Sequence, residues 1–527
     1  MDIGTTLTWT AERFPDRLAF AGRRRLTYRE LDQRTNRIAN LMTSLGVERG
    51  DRVGLFLSNS EEMASTHLAL QKLGVMSTPY NIRLGVPELS HCLTDSAPKV
   101  VVVDAVAAEL ARTVLAEATI RPSVLAVGRC DIAGSLDFEE SVATADDSAP
   151  AIDIGPDDYS VMLYTSGTTG RPKGVPRTQL NEHSASVAHV VQARYQPGEV
   201  TLGAMPMYHT MGLRSLLSMI VIGGTFVVQP VFRPDEAVDL IEQESVTALY
   251  LVPTAFWSVV NGGGDMERVA RSVRKLAFAG APMTSSLCEQ LVEQLQPEVF
   301  INHYGSSEVY TFSIADDAAA KPGAAGRPGV FGRWRVVDPA SDEFHEPLPA
   351  GQEGEIAVDL RSDEAFSGYW QRPDADAKSI RHGWYHTGDI GRVDEDGDLW
   401  VEGRVDDMIL TGGENVHPVE VEDILARHPD IAEVSVVGLQ DEKWGQAVTA
   451  FIVPTRDDED PETVAARVKD WVRSEAPLSP YKRPKRVIVI EAIPKSPVGK
   501  ILRRKLVAGD YDLAVTTGSK AESPVTT

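Results

Sequence analysis

Residues 164–175 read YTSGTTGRPKGV and close an apolar run that begins at Ser160. Gly167, Gly170 and Gly174 allow tight turns and a close backbone approach, Thr165, Ser166, Thr168 and Thr169 offer hydroxyls, and Lys173 adds a positive charge. Those residue types together describe a cradle for a chain of phosphates. The nucleotide loop that joins a strand to a helix is the obvious competitor, but it needs Gly-Lys followed at once by Ser or Thr. Here Lys173 follows Pro172 and precedes Gly174, so that reading fails. A plain surface turn would not call for four hydroxyls, three glycines and a lysine in one segment.

At 527 residues the chain exceeds a single hydrophobic core, so two or more domains are expected. A formal net charge of -24 argues against a general nucleic-acid or membrane binder, so any phosphate site must be a local basic feature. The three cysteines, Cys92, Cys130 and Cys288, have no metal-like spacing and fit a reducing compartment. The first residues, MDIGTTLTWTAERFPDR, lack a basic lead and an apolar stretch, so a cytoplasmic location is expected. The most apolar window, Leu216 to Val228, is short and split by Gly223 and Gly224, which predicts a buried helix followed by a strand and not a membrane span.

Around the loop, helical patterns alternate with short apolar runs. Tyr28 to Leu45 reads as an amphipathic helix, VGLFL from Val53 and KVVVVD from Lys99 as buried strands, and Pro234 to Glu244 as a helix between strands at Thr225 to Val228 and Ala248 to Val252. The pattern predicts an α/β fold with parallel sheets covered by helices. From Gly323 to Val401 the texture changes to Gly, Pro and Asp turns between short strands, which predicts a small β-rich subdomain. It changes again after Arg404, giving an N-terminal domain over 1–404, a small α+β domain over 405–510 and a polar, disordered tail over 511–527.

The loop resembles the signature of the acyl-adenylate-forming (AMP-binding) superfamily. The likeness continues in order through GVERGDRVGL from Gly46, MPMYHTMG from Met205, FAGAPM from Phe278, NHYGSSE from Asn302, WYHTGD from Trp384, GRVDDMILTGGENVHP from Gly403 and PKSPVGKILRR from Pro494. It falls in the acyl/aryl-CoA ligase branch, and GRVDDMI, GGEN, KWGQ and KRPKR are most similar to segments of 4-chlorobenzoate–CoA ligases. The resemblance implies a large N-terminal domain of helix-covered sheets and a small mobile C-terminal domain. It also implies an AMP-forming ligase that joins a small-molecule carboxylic acid to ATP, releases pyrophosphate and passes the acyl group to coenzyme A. A monomer or homodimer is expected, and loading of a carrier protein in place of coenzyme A is the alternative.

Residue by residue, the resemblance implies that Lys173 and the loop hold the phosphates, that Glu308 holds Mg²⁺ and that Ser307 contacts the α-phosphate. Tyr304 and the turn Gly280, Ala281 and Pro282 would border the adenine, and Asp389, assisted by Arg404, would bind the ribose hydroxyls. Lys500 would bridge the carboxylate and the α-phosphate, and Asp406 would be the hinge between the two half-reactions. The Gly412-Gly413 loop would line the pantetheine tunnel, Trp444 and Tyr481 would flank the adenine of coenzyme A, and Arg483 and Lys485 would neutralise its phosphates. The acid pocket would be formed by Ala188, His209, Tyr250, His303, Gly305, Tyr310 and Thr311. Hydroxyls and imidazoles in such a pocket demand partners, so a polar-substituted aromatic acid is expected, with a medium-chain or alicyclic acid as the alternative.

Overall fold

The run Val100–Asp104 is buried at every position and hydrogen-bonded in parallel on both sides, to Arg52–Phe56 and to Ser123–Val127. An unbroken valine run suits a strand that faces helices on both sides, which an alternating sequence would not. Extending this pairing gives a seven-stranded sheet that ends on Met76–Pro79, Tyr159–Ser166 and Pro172–Thr178. The helix Tyr28–Ser44 starts one residue after Thr27, whose side chain and Glu30 satisfy each other's backbone donors. The structure, a computed structural model, describes the chain except 167–170, 263, 340–345, 405–406, 412–413, 442, 457, 477, 496–500 and 515–527; at 166, 414 and 415 it describes the backbone alone.

A second sheet has 14 strands. Its parallel half contains Val200–Gly203, Thr225–Val228, Ala248–Leu251, Lys275–Ala279 and Val299–Tyr304. The β-rich segment expected as a subdomain does not form a sheet of its own. Ser313–Ala315 pairs antiparallel with Val299–Tyr304 and leads through Ala324–Pro328 and Leu399–Arg404 to Trp384–Val393, Gly354–Asp359 and Trp334–Val337. It does have its own apolar cluster around Val309, Phe312, Ile356, Phe366 and Tyr385.

The window 216–228 resolves as expected into the helix Thr210–Ile222, closed by Gly223 at φ +66°, and the strand Thr225–Val228. Among the described residues no helix is long and apolar enough to cross a membrane. Sheet membership changes between Arg404 and Ile409. Ile409–Thr411 joins a five-stranded sheet with Glu414–Val416, Ile431–Asp441, Gly445–Pro454 and Arg486–Val489, packed on Pro418–Leu425 and Pro461–Ser474 with a separate core. The tail begins later than the sequence suggests, because Leu513 pairs with Ile490 and the Tyr511 ring packs on Phe451 at 4.9 Å. Apolar contact attaches 511–514, a signal too short to stand out in a polar stretch.

Candidate active site

The phosphate-loop segment joins two antiparallel strands. Tyr159–Ser166 and Pro172–Thr178 run antiparallel, with Thr165 opposite Lys173 and Ser166 opposite Pro172. No helix follows the loop directly, so phosphates here cannot rest on a helix N-terminus as in the strand–loop–helix nucleotide site. Gly167, Thr168, Thr169 and Gly170 lie outside the described residues, as does the Ser166 side chain.

Gly174 lets a second chain segment approach this strand pair. A Cβ there would meet Met162 Sδ at 2.8 Å and Trp370 Cβ at 3.1 Å, and the Trp370 N–H donates to the Gly174 carbonyl at 2.9 Å. This contact brings Tyr369 under Lys173, whose ammonium stands 4.0 Å from the ring centroid. The Tyr369 hydroxyl donates to Glu308 Oε1 at 2.7 Å, and Glu308 is only 6% exposed. Burial holds the Lys173 ammonium below the usual lysine range; Glu308 pulls it back up, while Arg372 and Arg404 press it further down. Lys173, Glu308 and Tyr369 therefore share one environment.

Asp389 adjoins it. Asp389 faces Arg404 across the pair Trp384–Val393 and Leu399–Arg404. Arg404 donates to Asp389 Oδ1 at 2.9 Å and the Tyr304 hydroxyl to Oδ2 at 2.5 Å. Tyr385 feels both groups, its hydroxyl held protonated first by burial and then by Glu308, with Tyr369 and Asp389 adding. Tyr304 ends a parallel strand beside the one that ends at Ala279, and Gly280, at φ +87°, turns the chain there toward Ala281 and Pro282. Carboxyl ends of adjacent parallel strands are where open α/β sheets bind ligands.

Ser307 and Glu308 sit on a pinched loop. Gly305 approaches Tyr310 so closely that a Cβ would lie 1.6 Å from the Tyr310 carbonyl oxygen, so glycine alone fits. Two buried guanidinium groups lie over the Tyr310 ring, Arg177 at 3.5 Å and Arg214 at 4.4 Å from its centroid, and the Thr311 N–H donates to Glu364 at 3.1 Å.

The acid-pocket candidates Ala188, Tyr250, His303, Tyr310 and Thr311 are all buried. His303 stacks on His189 with centroids 4.8 Å apart, and Tyr250 lies 4.7 Å from His189 and 5.3 Å from His303. Among the described residues neither ring nitrogen of His189 or His303 has a hydrogen-bond partner. Burial pushes His303 down to about 3, with the Arg214 charge adding, and draws His189 well below the usual range, so both rings are neutral near pH 7. His209, half-buried, caps the helix Thr210–Ile222 through a contact from the Met211 N–H to Nδ1 at 3.4 Å.

In the C-terminal sheet domain, Lys443 and Lys485 stand 4.9 and 5.1 Å from the Trp444 ring centroid. Lys485 lies below the usual lysine range through burial, with Arg483 and Lys443 adding repulsion. Trp444, Arg483 and Lys485 thus share a locally basic surface in an acidic chain. Tyr481 is exposed on the turn just before Arg483 and Lys485. Asp406, Gly413 and Lys500 lie outside the described residues; Lys495 and Ile501, on either side of Lys500, form a backbone bridge.

Sequence reasoning missed Tyr369, Arg177 and His189, which act across 60 or more residues of chain and carry no local motif, and it gave no role to Tyr385, which stands inside WYHTGD. One acidic cluster, Asp394, Asp396 and Asp398, has ligand atoms close enough to hold a cation. It is occupied by the Lys321 ammonium at 2.7, 2.8 and 2.7 Å, with Arg327 also on Asp398 at 3.1 Å, so protein cations already stand where a metal would.

Residues 7–370 match the AMP-binding enzyme family and residues 420–500 the AMP-binding enzyme C-terminal domain. The chain is 36% identical over 487 residues to a feruloyl-CoA synthase from Amycolatopsis sp, covering 91% of this chain and 92% of that one. It is 34% identical to a long-chain-fatty-acid–CoA ligase from Mycobacterium tuberculosis, covering 92% of each, and 33% identical to a 4-chlorobenzoate–CoA ligase from Arthrobacter sp, covering 95% and 94%. ATP-bound MatB from Rhodopseudomonas palustris superimposes with a TM-score of 0.84 at 28% identity, over 97% of this chain and 99% of that one. With both family segments present in order and the relatives matched nearly end to end, the chain belongs to the AMP-binding enzyme family, in its acid–thiol ligase branch.

Proposed function

We propose that the protein activates a polar-substituted aromatic carboxylic acid with ATP and transfers the acyl group to coenzyme A. The observation that carries the adenylation step is the convergence of Lys173, Glu308 and Asp389, with Tyr304, Tyr369 and Arg404 fixing the two carboxylates. The acid's carboxylate oxygen attacks the α-phosphorus, an acyl–oxygen–phosphorus linkage forms, and pyrophosphate leaves. Lys173 offsets charge on the departing phosphates. The Asp389 carboxylate, oriented by Tyr304 and Arg404, is the group that would accept the two ribose hydroxyls, since a carboxylate can take both from a vicinal diol.

Glu308 Oε1 is taken by Tyr369, and Oε2 has no hydrogen bond among the described residues. A single free carboxylate oxygen beside phosphates suits Mg²⁺, which takes oxygen ligands and draws most of them from phosphate and water. Mg²⁺ held by Glu308 would offset charge on the phosphoryl oxygens. In the second half-reaction the thiol displaces AMP from the adenylate. The Trp444, Arg483 and Lys485 surface offers a flat face and cations to the adenine and phosphates of coenzyme A.

The polarity of the acid follows from His189 and His303. Each neutral imidazole presents one donor and one acceptor, and a hydroxyl complements both. Leaving such groups unmatched costs roughly 1–3 kcal/mol, or about 5- to 150-fold in selectivity. An AMP-release assay with coenzyme A across hydroxylated and unsubstituted benzoates and cinnamates should therefore favour the hydroxylated acids. A preference for long unbranched fatty acids would overturn this choice of substrate.

A further inference from the structure

Among the described residues Arg177 is the largest fully buried side chain, and the reaction outlined above makes no use of it. It lies on Pro172–Thr178, the strand that leaves the phosphate loop, four positions after Lys173. Its Nε donates to Glu182 at 2.6 Å, with the pair 0% and 1% exposed. Its Nη1 reaches across to the carbonyls of Ser307 at 3.2 Å and Glu308 at 3.4 Å. The guanidinium lies over the Tyr310 ring, which Arg214 also approaches, and Arg214 in turn faces Glu364 at 3.8 Å. The Glu308 carbonyl also accepts from the Phe366 N–H at 2.8 Å, and Asn181 holds the carbonyls of Asp363 and Ala365 at 2.9 and 3.0 Å.

We propose that Arg177 is a positioning residue that ties the phosphate-loop strand to the loop carrying Glu308, and so sets the carboxylate toward Mg²⁺ on a bound nucleotide. The inference rests on the reading of Glu308 as the metal-holding carboxylate. Two features single out a guanidinium for this task. A rigid planar guanidinium fixes the direction of its donors, here Nε to the Glu182 carboxylate and Nη1 to the two carbonyls, while its face lies over Tyr310, an arrangement a flexible point-charge ammonium does not hold. The burial of two arginines with two glutamates is also charge-balanced, so the cluster can be rigid without leaving a bare charge in the interior. Because Glu308's side chain is fixed by Tyr369 and its backbone by Arg177, loss of Arg177 should rotate the carboxylate while leaving the Asp389 site and the adenine turn in place.

The test compares ATP affinity by calorimetry with and without Mg²⁺ in the wild type, in Arg177→Lys and in the balanced double variant Arg177→Met/Glu182→Met, which avoids stranding Glu182. The expected result is an unchanged affinity for metal-free ATP, an affinity for MgATP weakened about tenfold, and adenylation slowed in step, while supplied acyl-adenylate is converted to thioester at the wild-type rate. Wild-type metal dependence in both variants, or an equal loss with and without Mg²⁺, would overturn the proposal. Should the double variant not fold, Arg177→Lys decides by the same ratio. If the wild type itself shows no Mg²⁺-dependent gain in ATP affinity, the reading of Glu308 fails, and the positioning role falls with it for a reason the variants do not supply.

Discussion

Replacing Tyr369 by Phe removes one hydroxyl and leaves the ring under Lys173 in place. That hydroxyl donates to Glu308 at 2.7 Å, and the acceptor is 6% exposed, so water cannot readily take over. A hydrogen bond to a charged group contributes about 1.5–3 kcal/mol, which at 1.4 kcal/mol per decade corresponds to roughly 10- to 150-fold. Tyr385 pulls the expectation toward the lower end, because its hydroxyl neighbours that of Tyr369 and feels the Glu308 charge. Tyr369→Phe should therefore lower kcat/KM for MgATP about tenfold in acid-dependent ATP–pyrophosphate exchange, and Tyr369→Phe/Tyr385→Phe should fall further. Thioester formation from supplied acyl-adenylate should be untouched, since no phosphate beyond the α-position remains. Exchange within about twofold of wild type in both variants would refute the claim that Tyr369 orients Glu308.

Lys173 gives a pH signature. Its ammonium is held below the usual lysine range, and the charged form is the one that meets phosphate, so kcat/KM for ATP should fall as pH rises through that lowered pKa and be retained below it. Lys173→Arg keeps its charge and should lose the alkaline limb; an identical limb in that variant would assign it to another group. Lys500→Ala should slow adenylation by at least about 100-fold, the scale for deleting a key electrostatic donor, yet still convert supplied acyl-adenylate to thioester. Equal losses in the two half-reactions would remove Lys500 from its proposed role.

The parts of the site that were legible in the sequence are those whose chemistry is contiguous. The hydroxyl- and glycine-rich loop, the segment Tyr304 to Glu308 and the turn ending at Asp389 each place their functional groups within a few residues, and strands such as Val100–Asp104 declare themselves by an unbroken apolar run. What supports those groups was not legible. Tyr369 looks like one more aromatic residue in a turn, and nothing local says that Gly174 will admit Trp370 and so deliver Tyr369 to a carboxylate 61 positions away. Arg177 and Glu182 read as ordinary surface charges at a strand–helix junction, because burial of a paired arginine is decided by the partner packed over it, here Tyr310. The β-rich segment was legible as strands but not as an extension of the large sheet, since periodicity reports which face is buried and not which edge accepts the next strand.

Arg404 links the nucleotide site to the change of sheet. It is the last residue of its strand and the last described one before 405–406; the next described strand belongs to the small sheet. The contacts between the two parts include Ser285 with Asp423 at 3.2 Å and His417 with Glu353 at 2.9 Å, and Asp423 and Glu353 are substantially exposed. The Ser285–Asp423 contact, whose carboxylate is 33% exposed, contributes little, roughly 0–1 kcal/mol, whereas His417 is buried and its bond to Glu353 is the stronger tie between the two parts. The Arg404–Asp389 bond is different in kind. It belongs to a regular antiparallel pair and is reinforced from the other side by Tyr304. On the proposed roles, a rotation begun after Arg404 would therefore spare Asp389, and a nucleotide held there could stay in place while the small domain exchanges Lys500 for the Trp444 surface. A variant that loosens Arg404 should accordingly uncouple the two steps, releasing acyl-adenylate into solution before coenzyme A arrives.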